Sequence, residues 1–274
     1  MLIGCHVSIR DGYLGAAKRA HQIGATAYQY FPKNPRSLSV KEINAQDASE
    51  CKDFCKGHNI VSVAHTPYPT NLTPSSDKRK LTIDSLLNDL EIAEACGSIG
   101  VVVHFGSQID THDPLKGYLV MIEMLNEVLI NWHGDALVLL ENVAGKPGVM
   151  GTTLEEQVQI RNLCKFPDKV GFCLDTCHAF ASDEWTGEKY EDFMQKGNEL
   201  SYFKHLKVIH LNNSKYENGS GKDRHANIDS GKIDISLIGK LLKEKSLSEI
   251  PFVLETPGED HKNEINLVRG LSVL

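Results

Sequence analysis

The fold is decided by the segment that runs from Ile99-Gly100-Val101-Val102-Val103-His104 to Ala136-Leu137-Val138-Leu139-Leu140-Glu141. Both ends are short runs of β-branched and apolar residues, which are typical of buried strands. Between them, residues 116–131 form an amphipathic stretch long enough for a helix. Because parallel strands need a crossover helix between them, this segment predicts a strand–helix–strand unit.

The same unit recurs along the chain. Further strands are predicted at Leu2–Val7, Thr26–Phe31, Ile60–His65, Val170–Asp175, Leu206–His210 and Ile250–Glu255. Helices are predicted at 13–23, 41–57, 79–96, 116–131, 153–164, 188–203, 234–245 and 261–270. The strand starts lie about 35 residues apart, a spacing that suits βα units. Eight such units predict a (β/α)8 TIM barrel that forms a single domain over residues 1–274. A doubly wound open sheet is the alternative, but even spacing and a strand at the N terminus favour closure.

Composition and charge exclude several classes of protein. The 274 residues are 41% hydrophobic and carry a net charge of −7, as in ordinary globular proteins. No apolar run is long enough to span a membrane, and no basic segment precedes the first apolar stretch as in a secretory signal. The seven cysteines include no C-x-x-C pair, so we expect reduced thiols in a cytoplasmic protein. We also expect the protein to act as a monomer. The negative charge argues against a basic nucleic-acid binder.

Histidine or a carboxylate stands at seven of the eight predicted strand ends or directly after them, whereas the second strand ends in Gln29-Tyr30-Phe31-Pro32. The C-terminal ends of barrel strands converge on one mouth. Beyond His6, the candidates at this mouth are His65, His104, Glu141, Asp175, His178, His210, Asp223, His225 and Glu255. Four carboxylates in such a space repel one another unless cations neutralise them. Imidazole and carboxylate ligands suit Zn²⁺ or Mn²⁺, and this set is large enough for two or three bridged ions.

Three motifs at these positions resemble those of the endonuclease IV type of apurinic/apyrimidinic (AP) endonuclease. They are Glu141-Asn142-Val143-Ala144-Gly145, Cys173-Leu174-Asp175-Thr176-Cys177-His178-Ala179-Phe180, and His210-Leu211-Asn212 followed by Lys222-Asp223-Arg224-His225. The resemblance extends from Ile3 to Thr256. It implies a TIM-barrel DNA-repair enzyme that binds three zinc ions, some of them replaceable by Mn²⁺.

Carried over residue by residue, the resemblance implies a specific set of metal ligands. His65, His104 and Glu141 would hold the first zinc. Glu141 would bridge to a second zinc completed by Asp175, His210 and Glu255, and His178, Asp223 and His225 would hold the third and most solvent-accessible one. Glu141, Glu255, His178, Asp223 and His225 are the expected catalytic residues. The expected reaction is hydrolysis 5′ to an abasic site, leaving a 3′-hydroxyl and a 5′-deoxyribose phosphate.

The expected partner is double-stranded DNA containing abasic sites. In the family, loops after the second and third strands enter the minor groove, and Arg36 and Tyr68 are the matching positions. Such a cluster cannot reach a phosphate in a straight duplex, so the DNA must be kinked and the abasic nucleotide extruded. Three Zn²⁺ would nearly cancel the net charge of −7. A row of basic loop residues is predicted to contact phosphates: Lys33, Arg36, Lys146, Lys215, Lys222 and Arg224.

Two other functions remain open at the level of the sequence. A sugar isomerase or epimerase on a similar barrel would need a single Mn²⁺ held by Glu141, Asp175, His210 and Glu255, and would leave the other five ligand candidates redundant. A non-catalytic DNA-binding or metal-storing barrel would show a degraded ligand set. The sequence departs from the endonuclease pattern at Pro69, Phe105, Gln108, Pro147 and Asn213, none of which is a ligand candidate.

Overall fold

The computed structural model describes residues 1–146, 148–258 and 261–273. Eight parallel strands form a closed barrel, in which the last strand pairs with both the first and the seventh. The barrel strands are β1 (Ile3–His6), β2 (Ala27–Tyr30), β3 (Val61–His65), β4 (Gly100–His104), β5 (Leu137–Glu141), β6 (Val170–Asp175), β7 (Leu206–His210) and β10 (Phe252–Leu254). A two-stranded antiparallel ribbon of β8 (Asn213–Ser214) and β9 (His225–Ala226) lies in the connection after β7. The predicted TIM barrel is confirmed.

Helices follow the strands in the expected alternation. They are α1 (Gly12–Gln22), α2 (Ala45–His58), α3 (Ser76–Ala95), α4 (Leu115–Ile130), α5 (Leu154–Leu163), α6 (Thr176–Ala181), α7 (Tyr190–Glu199), α8 (Tyr202–His205), α9 (Ile235–Leu242) and α10 (Lys262–Val273). Short 3₁₀ turns occupy Pro167–Lys169 and Lys245–Leu247. None of these helices combines the length and the apolar character that a membrane crossing requires.

Two helix predictions need correction. The helix predicted over 41–57 begins only at Ala45, because the Asn44 side chain accepts a hydrogen bond from the Asp47 backbone N–H and caps the helix there. The helix predicted over 188–203 is divided into α7 and α8 because Ser201 adopts a left-handed backbone conformation with φ of 57°. The short helix α6, which the sequence analysis did not predict, begins where Asp175 accepts a hydrogen bond from the His178 N–H.

The inside of the barrel contains a layer of buried apolar side chains, and this layer determines which residues face the mouth. Its members are Val63, Val102, Leu139, Cys173, Val208 and Val253. Alternate residues of a strand face the same side. The residues two positions further along these strands therefore also face inward, one layer nearer the carboxyl ends: His65, His104, Glu141, Asp175, His210 and Glu255. The packed layer forms the floor beneath these polar groups.

The space between the barrel and its helices holds the larger core, which includes Tyr28, Leu86, Phe172, Tyr202 and Phe252. All seven cysteines are buried and free of disulfides, as predicted. Burial also raises the pKa of the Cys173 and Cys177 thiols to about 12, so both are neutral in the metal-free protein.

Candidate metal centre

The polar residues at the strand ends line a cavity of about 360 Å³ at the mouth of the barrel. Glu141 lies at its centre and is almost completely buried. Its Oε2 lies 3.4 Å from His65 Nε2 and 3.2 Å from His104 Nε2. These three side chains bring their ligand atoms within 4.8 Å of one another, as a common metal ion requires.

The other oxygen of Glu141 faces a second group. Glu141 Oε1 lies 3.0 Å from His210 Nδ1, and the same nitrogen lies 3.1 Å from Glu255 Oε2 and 3.9 Å from Asp175 Oδ2. All four side chains offer ligand atoms within 4.8 Å of one another. Because its two oxygens face different groups, Glu141 is placed to bridge two cations.

A third group lies nearer the solvent. Asp223 Oδ1 is 3.4 Å from His178 Nε2 and 3.5 Å from His225 Nε2, and its side chain is 53% exposed. His225 Nε2 also lies 3.5 Å from Asp175 Oδ2. This group is therefore the one that an incoming substrate would meet first. The structure brings all nine ligand candidates together in the three groupings that the resemblance implies.

Three of these histidines use Nδ1 for a backbone hydrogen bond and leave Nε2 for a metal. His65 Nδ1 donates to the Thr66 carbonyl at 2.8 Å, His178 Nδ1 to the Asn142 carbonyl at 2.9 Å, and His225 Nδ1 to the Glu255 carbonyl at 3.3 Å. Since a carbonyl cannot donate, each Nδ1 carries a proton, which leaves Nε2 as the nitrogen that faces the cluster and can bind a metal in the neutral ring. Within the described residues, the buried atoms Glu141 Oε2, His178 Nε2 and His225 Nε2 have no hydrogen-bond partner. Such a donor set fits divalent metal ions.

The pKa shifts of the clustered residues also favour a site for cations. Burial disfavours the imidazolium of His178, yet Asp175, Glu141 and Asp223 raise its pKa to about 10. Burial alone would raise the pKa of Glu255, but His210 and other histidines hold it at about 2. Burial likewise opposes ionisation of Glu141, whose pKa is nevertheless held well below its ordinary value by His210 and His104. The carboxylates thus favour the protonated forms of His104, His178 and His210, and a metal ion would replace those protons.

Comparisons with known proteins agree with this geometry. Residues 17–274 match a family model described as xylose isomerase-like TIM barrel. The chain is 40% identical to a protein of Symbiobacterium thermophilum named probable endonuclease 4, over 99% of both chains.

The chain belongs to the endonuclease IV family.

Solved structures agree with this family and also show how widely the barrel is shared. The crystal structure of endonuclease IV from Thermus thermophilus superposes with a TM-score of 0.87 at 27% identity, covering 99% of this chain and 98% of that one. A D-tagatose 3-epimerase-like protein superposes with a TM-score of 0.71 at 17% identity, covering 99% and 97%. The second likeness concerns the fold alone.

Three amides beside the candidate ligands of this endonuclease IV family member were not predicted as site residues. Asn212 donates through Nδ2 to Asp175 Oδ2 at 2.7 Å, and its Oδ1 accepts from the Glu255 backbone N–H. Asn142 holds the Asp175 backbone by donating to its carbonyl and accepting from its N–H. Gln29 contacts both His210 and Glu255. The sequence could have indicated these three amides only by their positions, because each lies near the end of a predicted strand or shortly after it.

The two residues predicted to enter DNA lie in adjoining loops. Tyr68 is 67% exposed, lines the cavity, and packs against Phe31 with ring centroids 5.1 Å apart. Its backbone N–H donates to the Pro35 carbonyl at 2.9 Å, which ties the loop after β3 to the loop that carries the exposed Arg36. Their roles toward DNA stay predictions.

The prediction that Lys33 contacts a DNA phosphate is wrong. Lys33 is only 3% exposed, and its Nζ lies 3.0 Å from Asp89 Oδ1 and donates to the Ser85 carbonyl. A side chain held in this way cannot reach a phosphate outside the barrel. The other members of the row are exposed: Arg36, Lys146, Lys215, Lys222 and Arg224.

The departures from the family pattern lie outside the ligand set. Asn213 is buried and donates to the Ile228 and Ile233 carbonyls, which a carboxylate in its place could not do. Phe105 is buried, whereas Gln108 and Pro69 are exposed. Pro147 lies outside the described residues.

Proposed function

We propose that this chain is a zinc-dependent AP endonuclease that hydrolyses the phosphodiester 5′ to an abasic site in double-stranded DNA. The products are a 3′-hydroxyl and a 5′-deoxyribose phosphate, as in base excision repair. The observation that carries the proposal is the convergence of nine candidate ligand side chains in three groups, two of which share Glu141. Membership of the endonuclease IV family supports it.

The number of groups supports a nuclease over a single-metal isomerase. Glu141, Asp175, His210 and Glu255 would by themselves satisfy one Mn²⁺. An isomerase leaves no task for His65, His104, His178, Asp223 and His225, yet these five also converge on the cavity. Phosphodiester hydrolysis uses all of them, because charge must be balanced on both the attacking and the leaving oxygen.

When bound, zinc ions lower the pKa of water and neutralise charge on a phosphate undergoing in-line displacement. The residues of the chain supply the arrangement. Glu141 sets the separation of the first two groups, because its two oxygens face different histidines. The exposed Asp223 and the half-buried His225 hold the third group at the solvent side, where the DNA backbone would enter. The Nδ1–H bonds of His65, His178 and His225 keep these rings in the tautomer that can ligate.

Recognition of the abasic site is assigned to the loops after β2 and β3. Tyr68 projects beside the cavity and Arg36 lies in the loop hydrogen-bonded to it. An abasic nucleotide costs little to extrude because it has no base to unstack. These side chains would occupy the gap and hold the kinked duplex over the cluster.

The test is incision of a labelled duplex that contains one tetrahydrofuran abasic analogue, alongside elemental analysis of the same preparation. We expect one cut 5′ to the analogue, a 3′ end that a DNA polymerase extends, and about three zinc ions per chain. The intact duplex is the control, and a chelator should abolish cutting until zinc is restored. One Mn²⁺ per chain with no cutting, together with turnover of a ketose, would contradict the proposal and favour the isomerase.

A further inference from the structure

We propose that Gln29 is a positioning residue that selects the ligand nitrogen of His210 and ties this histidine to Glu255. The inference rests on the proposed function, because it concerns the second metal group. Gln29 lies near the end of β2, a strand that contributes neither histidine nor carboxylate to the mouth, and its side chain is completely buried. The amide therefore has no water to bond and must be satisfied by its neighbours.

The neighbours of Gln29 allow only one orientation of the amide. Gln29 Nε2 lies 2.6 Å from Glu255 Oε1, and an ionised carboxylate can only accept, so the amide nitrogen must face it. The amide oxygen then faces His210 Nε2 at 2.7 Å. Because an amide oxygen cannot donate, His210 Nε2 carries a proton. The other ring nitrogen, Nδ1, points toward Glu141 and Glu255 and is the one available for a metal.

This makes His210 the opposite of three other candidate ligand histidines. His65, His178 and His225 donate through Nδ1 to backbone carbonyls and leave Nε2 free. In His210 the partner that fixes the protonated nitrogen is a side chain, Gln29, and it contacts Nε2 rather than Nδ1. Replacing Gln29 therefore removes the partner that sets the tautomer and also one hydrogen bond to a second ligand, Glu255.

The remaining hydrogen of the amide reaches His6, whose ring lines the cavity without belonging to a metal group. Gln29 Nε2 lies 3.2 Å from His6 Nδ1, which must accept, so His6 carries its proton on Nε2. One amide thus sets the tautomers of two histidines, a ligand and a cavity residue.

The first experiment measures zinc binding by competition with a chromophoric chelator, using the full chain and Gln29→Met. Methionine keeps the size of the side chain but offers none of the three hydrogen bonds. We expect one zinc to bind 10- to 100-fold more weakly, as is typical when a hydrogen-bond partner of a metal ligand is lost, and the other two to be unchanged. Gln157→Met is the matched control, since Gln157 is equally buried but lies on α5 and contacts Tyr202. Zinc affinities within twofold of the unmodified chain in Gln29→Met would overturn the inference.

The second experiment needs no substitution and therefore stands even if Gln29→Met fails to fold. A long-range ¹H–¹⁵N spectrum of the zinc-loaded chain reports the tautomer of each imidazole. We expect protonated Nε2 for His210 and His6, and protonated Nδ1 for His65, His178 and His225. His210 with its proton on Nδ1 would overturn the inference.

The incision assay separates this inference from the proposed function. Unchanged zinc affinity in Gln29→Met, with normal cutting by the unmodified chain, rejects only the role of Gln29. Selective loss of one zinc in Gln29→Met, with no cutting by the unmodified chain, supports that role and rejects the nuclease.

Discussion

Glu141 is the residue on which the whole centre depends. Its Oε2 faces His65 and His104, while its Oε1 faces His210 at 3.0 Å and His178 Nδ1 at 3.5 Å. Burial of a carboxylate is costly unless positive groups surround it. Here the positive groups are protons on histidines in the metal-free protein, and cations would replace them. A single side chain therefore couples the first two metal groups.

We predict that Glu141→Gln nearly abolishes incision while the fold survives. The amide has the same shape, but it offers one acceptor oxygen and would turn N–H groups toward one set of histidines. Activity is measured on the abasic duplex and folding by circular dichroism, with Glu127→Gln on the exposed face of α4 as control. A rate within about tenfold of the unmodified chain, or ~1.4 kcal/mol of activation free energy, would remove Glu141 from the bridging role.

His225→Ala tests the third group. We expect zinc content to fall by about one per chain and turnover to fall on the order of 10²–10³, because one electrostatic stabiliser of the leaving oxygen is lost. Thermal stability should fall only modestly, since His225 belongs to neither of the groups that contain Glu141. A variant that retains its full zinc content and its nuclease rate would show that the β8–β9 connection is structural, and a sugar-isomerase assay would follow.

At the scale of elements, the loop after β2 is held to α3 by a buried ion pair. Lys33 of the loop and Asp89 of the helix are both almost fully buried and lie 3.0 Å apart. Burial raises the pKa of Asp89 to about 7 and lowers that of Lys33, and each group offsets the effect on the other. The contact fixes the base of the loop whose tip carries Arg36.

We predict that Asp89→Asn destabilises the protein by roughly 3–5 kcal/mol, because it leaves the ammonium group of Lys33 buried without its counter-charge. Urea unfolding measures this change. Asp84→Asn on the same helix is the control: its pair with Lys80 is exposed to solvent, so a loss of about 1 kcal/mol or less is expected. Equal effects of the two substitutions would contradict the anchoring role of the Lys33–Asp89 pair.

Arg36→Ala and Tyr68→Ala test the two loops that face the DNA. Both side chains are exposed and neither belongs to a metal group, so zinc content should not change. We expect each variant to lose part of its preference for abasic over intact duplex, measured as the ratio of dissociation constants at one salt concentration. Lys215→Ala, in the loop after β7, should weaken binding to both duplexes alike. Unaltered discrimination in both loop variants would assign the wedge to other residues.

At the scale of the whole molecule, the candidate metal centre makes the folding stability depend on pH and on metal binding. The pKa of His178 is raised from 6.5 to about 10, so its contribution is fully present below pH 6.5 and is lost as the pH rises toward 10. The pKa of Glu255 is lowered from 4.5 to about 2, so its contribution is present above pH 4.5 and is lost as the pH falls toward 2. The metal-free protein should therefore be most stable between these two windows.

We predict that the metal-free chain has a lower Tm at pH 9 than at pH 6, and that zinc removes most of this loss. Between these pH values the unfolded chain releases the His178 proton that the native state keeps, so retaining it contributes less to stability. A bound cation supplies the compensating charge without a proton and stabilises the native state by mass action. Thermal melts with chelator and with zinc at both pH values measure the effect. A Tm of the metal-free chain that rises from pH 6 to pH 9 would show that the cluster histidines are neutral without metal.

The sequence by itself predicted the barrel and the candidate ligands. Strand periodicity and the recurrence of βα units place His65, Glu141 and Asp175 on the inner face at the carboxyl ends, and the barrel brings these ends together. The local sequence pattern is sufficient to predict these positions, because the alternation of side chains along a strand decides which of them face inward.

Only the tertiary structure decided which neighbours complete the site. The sequence alone suggests that Lys33 is a surface cation. The structure shows that it is buried and paired with Asp89, which lies far along the chain. Gln29 carries no charge and no metal affinity, so its contacts with His210 and Glu255 become visible only when β2, β7 and β10 are assembled. Hydrogen bonds between distant segments depend on the register and packing of the whole barrel, which no local pattern encodes.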